Sequence, residues 1–220
     1  MPELLVEIRN VWLESGHGNE VFRNLSFTLL SGRSAVITGP AGSGKTSFVD
    51  VLIGQRPVKS GSVEVAGESI RPGKSRALNR VRRKIGGVGG VFTLIPSLTV
   101  AENIVFPLLL AGDRRKVCQE RLLKALTEFS LIRQSQQYPD SLTRVENTLV
   151  QFARASIAYQ PLLVIDEPLA GLDPATYERI LDHLVAVALS GRSMIILGSQ
   201  PPPRTLPEAD YYQITDGALA

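Results

Sequence analysis

The sequence has a single cysteine, Cys118, which excludes an internal disulfide and fits a reducing compartment. Cys118 lies in a charged, helix-like stretch and reads as an incidental thiol, not a nucleophile. An excess of one charge is also missing. Lys and Arg number 24 against 21 Asp and Glu, a net charge of +3. That is too small to argue for a nucleic-acid partner, and a mildly basic surface accounts for it. No run is apolar for long enough to span a membrane. The longest candidate, Ile104–Gly112 ("IVFPLLLAG"), is nine residues and contains Pro107, against the roughly 20 a spanning helix needs. The start, "MPELLVEIRN", carries acids early and alternates, so it reads as a strand and not a signal peptide. A cytoplasmic location is the default expectation, and work at a membrane would require another chain to supply the span.

What is present suits one domain of 220 residues with an ordinary core: 44% hydrophobic and 20% charged residues. Leu4–Leu13 is a strand candidate, and Asn24–Gly39 reads as strand, Ser-Gly turn, strand. Ser47–Gly54 looks helical and stops at a glycine. Ser60–Ile70 alternates like a short hairpin, and Lys74–Lys84 reads as a basic surface helix with a solvated face. From about 94 to 156 the pattern is mostly helical, with Val117, Leu122, Leu126 and Phe129 at one-face spacing. "PLLVIDEP" and "SMIILG" are continuous apolar runs, as in strands buried on both faces. Pro174 suits the first turn of a helix over Ala175–Leu189. "ADYYQITDGALA" closes the chain as strand and turn. Strands alternating with helices predict a parallel α/β sheet.

The segment Gly39, Pro40, Ala41, Gly42, Ser43, Gly44, Lys45, Thr46 fits G-x-x-x-x-G-K-[ST] and lies between a predicted strand and a predicted helix. Glycines let the backbone wrap a phosphate, and the N–H groups and helix N-terminus point at the anion. Lys45 would reach the outer phosphates, the Thr46 hydroxyl would ligate Mg²⁺, and Ser47 extends the nucleotide-binding run. About 120 residues downstream, Asp166 ends an apolar strand and can complete the metal shell. Glu167 follows, placed to orient or polarise an attacking water.

Three stretches resemble the ATP-binding subunit of an ABC transporter over essentially the whole chain. They are "IRNVWLESGHGNEVFRNLSFTLLSGRSAVITGPAGSGKTS", "RRKIGGVGGVFTLIPSLTVAENIVFPLLLAG" and "YPDSL…ARA…LLVIDEPLAGLDPATYERI". The wording "LTVAENIVFPLLLAG" is most similar to the subunits of lipoprotein-release, macrolide-export and FtsE-type cell-division systems. The resemblance implies an α/β fold: a RecA-like P-loop NTPase core, an N-terminal antiparallel β portion and a helical subdomain at about 94–156. It also implies ATP and Mg²⁺ as ligands and a membrane permease as partner, with the chain peripheral on the inner face of the membrane. A head-to-tail homodimer or heterodimer with a second ATP-binding subunit is implied too, with Asp173 at the dimer interface.

Several family positions are altered. The Leu-Ser-Gly-Gly-Gln/Glu signature falls on Leu142-Thr143-Arg144-Val145-Glu146, so its two glycines are Arg144 and Val145. Side chains there obstruct close backbone approach, and a positive φ at β-branched Val145 would be costly. The Arg144 guanidinium is a candidate substitute for backbone donors, but the favoured expectation is that this turn no longer touches nucleotide. The Q-loop glutamine falls on Gly90, or on Thr93 in a shifted register. Gly86, Gly87, Gly89 and Gly90 are expected to make this segment pliable. The switch histidine falls on Ser199, and the only histidines, His17 and His183, lie elsewhere; His183 is expected to decorate a helix. The adenine-stacking aromatic falls on Ser15, with Trp12 or His17 as possible replacements, though Trp12 is expected in the core or packed against the β portion. The resulting expectation is a subunit that binds MgATP with weak or partner-dependent hydrolysis. A non-catalytic structural or regulatory pseudo-ATPase is the second reading, and a soluble family member without a membrane partner the third.

Overall fold

The computed structural model describes residues 3–16, 18–71, 75–167 and 172–220. Apolar alternation at the N-terminus produces two long antiparallel strands, β1 (Leu4–Glu14) and β2 (Glu20–Leu30). β4 (Ser60–Val65) pairs with the other edge of β1, and the two-residue β5 (Glu68–Ser69) pairs with β4. This sheet has the order β2-β1-β4-β5.

The second sheet has six strands in the order β10-β9-β3-β8-β7-β6. Its members are β3 (Ser34–Thr38), β6 (Ile85–Gly89), β7 (Leu162–Asp166), β8 (Ser193–Gly198), β9 (Ala209–Thr215) and β10 (Ala218–Leu219). All neighbours are parallel except β10, which runs antiparallel to β9. The continuous apolar runs are the central strands, as their two-sided burial requires.

Strand alternation sorts the apolar side chains into two layers. Ala35, Ile37, Leu162, Val164, Ile195 and Leu197 face a core shared with the antiparallel sheet and helix α1 (Lys45–Leu52). Val36, Leu163, Ile165, Met194 and Ile196 face the opposite core. That core is closed by α3 (Val100–Ala111), α4 (Arg115–Glu128), α5 (Arg144–Ile157) and α6 (Pro174–Leu189). α3 to α5 are contributed by one stretch of chain between β6 and β7. In α4, Leu126 and the following Phe129 are buried, with Val117 and Leu122 half-buried on the same face. α2 (Ser75–Arg83) is basic, as expected, but it is anchored by the fully buried Val81 and by the Arg80–Glu68 ion pair.

Two helices begin with reciprocal capping boxes: Thr99 with Glu102 on α3, and Thr143 with Glu146 on α5. Asn103, fully buried, accepts from the Ile95 amide and donates to the carbonyls of Ile95 and Leu98, fixing the turn before α3.

Three expectations fail. Trp12 is not in the core: it is 38% exposed, because it lies on the outward face of β1. His183 does not decorate a helix surface. It is largely buried, bonded through Nε2 to the Ser156 hydroxyl and through Nδ1 to Glu128, both at 2.8 Å, and it stacks edge-on to Phe129. It therefore ties α4, α5 and α6 together. The glycines of β6 serve close packing, not pliability. A Cβ at Gly86 would overlap the Ala155 carbonyl of α5, at Gly87 the Phe92 ring, and at Gly89 the Asp166 carbonyl.

Candidate nucleotide site

The site forms where β3 and β7 end, at the carboxyl edge of the parallel sheet, with β8 between them. The loop Gly39–Gly44 leaves β3 and feeds α1. Gly42 and Gly44 take left-handed conformations, φ 81° and 104°, which Cβ-bearing residues resist. A Cβ at Gly44 would lie 2.8 Å from the Phe22 ring, so β2 presses directly on the loop. Pro40, Ala41 and Gly42 are exposed at its tip.

Lys45 is 5% exposed. Its Nζ donates to the carbonyls of Gly39 (2.8 Å) and Pro40 (3.0 Å) and lies 3.1 Å from Oε1 of Glu167. The Thr46 hydroxyl donates to Oδ2 of Asp166 across 3.3 Å. The fold thus brings together the four residues read as phosphate, metal and water ligands. Asp166 is 4% exposed, and burial raises its pKa against the opposing hydrogen bond from Thr46. Glu167 adopts φ 50° and its N–H donates to the Leu197 carbonyl, turning the carboxylate out of β7 towards Lys45.

The residues fit a nucleotide with a divalent cation. No side chain caps the N-terminus of α1, so its first N–H groups are left for an anion. The Ser43 hydroxyl is buried inside the loop without a partner. Asp166 is a buried carboxylate at hydrogen-bonding distance from a threonine hydroxyl, a donor set suited to Mg²⁺. Ser47 is engaged otherwise: its hydroxyl accepts from Arg56 at 3.0 Å.

The remaining predicted positions are dispersed. Asp173 caps α6, accepting from the Thr176 N–H at 3.0 Å, with Pro174 in the first turn as expected; the Thr176 side chain and then its N–H hold the Asp173 carboxyl below the ordinary carboxylate range. Ser15 closes the β1–β2 turn through Asn19. His17 lies outside the described residues, as do 168–171 of the run after β7. Ser199 is exposed just past β8, beside Glu167 in a separate cavity. Arg144 and Val145 form the first turn of α5 with no positive φ, so the costly conformation is avoided at Val145. Val145 packs on the helical core and Arg144 stays exposed.

Sequence reasoning missed Gln151. An open cavity of about 600 Å³ has Thr46, Asp166 and Glu167 on one wall and Arg144, Asn147, Thr148 and Gln151 of α5 on the other. Gly90, φ 48°, lies between them so close to Asp166 that a Cβ would overlap the carboxylate. Oε1 of Gln151 accepts from the Gly89 N–H at 2.7 Å, and its Nε2 donates to Oδ1 of Asn147 at 2.7 Å. Arg154, its pKa lowered to about 10 by burial, donates to the carbonyls of Phe92 and Thr93, fixing the same loop from α5. The detectable signal was a polar stripe at i, i+3, i+4 and i+7 on an amphipathic helix.

A phosphate loop and terminal acids on a parallel sheet, with an antiparallel sheet on one face and helices on the other, define the ABC ATPase fold. The ABC transporter family model matches residues 22–170, and the chain belongs to that family. The cell division ATP-binding protein FtsE of Bacillus subtilis (strain 168) is 28% identical over 192 residues, covering 87% of this chain and 84% of its own. The lipoprotein-releasing system ATP-binding protein LolD of Alcanivorax borkumensis is 30% identical over 203 residues, covering 91% and 88%. A dimeric, post-hydrolysis structure of the ATP-binding cassette MJ0796, bound to ADP and Pi, shares the fold with a TM-score of 0.85. It covers 98% of this chain and 96% of its own at 24% identity.

Proposed function

We propose that this chain is the nucleotide-binding subunit of an ABC-type membrane transport or envelope complex, binding MgATP with weak or partner-dependent hydrolysis. The observation that carries the reading is the convergence of Lys45, Thr46, Asp166 and Glu167 at one sheet edge. Position 90, beside them, has no side chain, and position 199 has a serine where the family's imidazole would stand. Lys45 and the loop amides hold phosphate; Thr46 and Asp166 hold the metal. When bound, Mg²⁺ neutralises phosphate charge. Glu167 accepts a proton from, or orients, a water at its carboxylate, with neither a glutamine amide at 90 nor a histidine at 199 to assist it.

The partners follow from the family and from one surface. Leu109 and Leu110 of α3 are 57% and 47% exposed. The nearby cavity of about 370 Å³ combines apolar residues such as Phe92, Phe106 and Pro107 with Arg82 and Arg154. Exposed leucines beside a groove of mixed lining suit a membrane permease subunit. No helix among the described residues is long and apolar enough to cross a membrane. Peripheral attachment at the cytoplasmic face, as a homodimer or with a second ATP-binding subunit and with exposed Asp173 at the dimer interface, completes the reading.

A non-catalytic, structural or regulatory role is the second reading. It is favoured by the way Lys45 is already satisfied inside the chain by two carbonyls and Glu167. Thermal melting separates the two. MgATP at about 100 times its dissociation constant stabilises a binding protein by roughly 2.7 kcal/mol. A rise in melting temperature, absent in Lys45→Ala, is expected. No rise at millimolar MgATP would make scaffolding the better account.

A further inference from the structure

We propose that Ser156, His183 and Glu128 form a second site that hydrolyses short-chain carboxylic esters, with Ser156 as the nucleophile. The site is separate from the nucleotide site and does not rest on the nucleotide reading. Its three side chains come from three helices: Glu128 ends α4, Ser156 lies near the end of α5 and His183 lies within α6. The Ser156 hydroxyl is 2.8 Å from Nε2 of His183, and Nδ1 of the same ring is 2.8 Å from Oε1 of Glu128. A nucleophile, a base and an orienting acid are recognised by that geometry and not by their order in the chain.

Proton accounting sets the direction of the relay. The Glu128 carboxylate can only accept, so Nδ1 of the neutral imidazole carries the proton and Nε2 presents a lone pair. The Ser156 hydroxyl therefore donates to Nε2. A serine inside a helix often bonds back to the carbonyl four residues earlier; among the described residues, the Ser156 hydroxyl bonds to His183 alone. Burial lowers the His183 pKa, which keeps the ring neutral and able to take a proton at neutral pH.

A cavity of about 290 Å³ opens beside the three side chains. Ala125, Ala153, Ile157 and Val187 give it an apolar lining that suits a short acyl chain. Arg192 lines it too. Its Nε donates to the Gln160 carbonyl at 3.0 Å and its Nη2 to that of Ala155 at 3.4 Å, whereas Nη1 has no acceptor among the described residues. A cationic N–H donor is thus held against the residue that precedes the nucleophile, where it can meet charge developing on a carbonyl oxygen. In the reaction, Oγ of Ser156 attacks the ester carbonyl carbon while its proton passes to Nε2. The tetrahedral oxyanion collapses, the C–O bond to the alcohol breaks, and the alcohol leaves with the proton from Nε2. An acyl-serine ester remains. Water, giving a proton to Nε2, then attacks the acyl carbon; Oγ leaves, regains that proton, and the carboxylic acid is released.

The test uses the full chain without nucleotide and three probes: p-nitrophenyl acetate, p-nitrophenyl butyrate and a fluorophosphonate that labels activated serines. Wild type should hydrolyse both esters, and Ser156→Ala should lose about 100-fold in kcat/KM. The phosphonate adduct should map to Ser156 by peptide mass. Glu128→Gln, which preserves the size of the positioning side chain, should lower kcat about 100-fold with KM within about twofold, a split that loosened packing alone does not produce. Melting curves check that the variants fold; Ser156→Ala introduces a strong helix former, and labelling of wild type needs no variant. Equal ester hydrolysis by wild type and folded Ser156→Ala, or no adduct on Ser156, would overturn the proposal and leave the nucleotide reading standing.

Discussion

Gly90 lies against Asp166 so tightly that the smallest possible side chain at 90 would overlap the carboxylate proposed to hold the metal. The family's glutamine therefore cannot be restored here by a single substitution. Gly90→Gln must displace Asp166 and also place a side chain at φ 48°. A cost of about 1–3 kcal/mol is expected, or several degrees in melting temperature for a domain of this size. Calorimetric melting of the variant checks it, and turnover measured in parallel should show no gain.

The altered signature turn behaves as a helix start. Thr143 and Glu146 satisfy each other's backbone N–H groups, and the Thr143 N–H and hydroxyl, both donating to the Glu146 carboxylate, hold it below its ordinary range. Thr143→Ala should cost about 1 kcal/mol in denaturant unfolding. Returning the glycines, Arg144→Gly with Val145→Gly, should lower stability as well, by up to about 1 kcal/mol per site from helix propensity, with more from the lost packing of Val145. Stability equal to wild type would contradict this local structure.

Stability should fall on mild acidification because of His183. Burial lowers its pKa, partly opposed by the neighbouring Glu128 carboxylate. The unfolded chain therefore takes up a proton near the ordinary histidine value of about 6.5, before the folded one does. The contribution is complete above that pH and is lost as pH falls from about 6.5 through the lowered folded value. Melting curves between pH 7.5 and 5.5 should show the decline. His183→Gln, which cannot titrate, should show a shallower one.

Much of the fold was legible because its signals are local. The phosphate loop declares itself through Gly42 and Gly44, whose left-handed backbone the motif requires. The buried strands declare themselves through unbroken apolar runs, and the acids at 166 and 167 by ending one of them. What stayed hidden depended on which elements meet. Trp12 reads as core by its chemistry but falls on the outward phase of β1. His183 reads as surface by its helix but faces the α4–α5 seam. Gln151 could be connected to Asp166 only once β6 was known to pack against α5 and β7 together.

The most direct measurement is MgATP binding and phosphate release recorded together on the purified chain, with Lys45→Ala and Glu167→Gln alongside. The account predicts Lys45-dependent binding with phosphate release by wild type little faster than by Glu167→Gln. Rapid turnover by wild type alone, abolished by both substitutions, would contradict it.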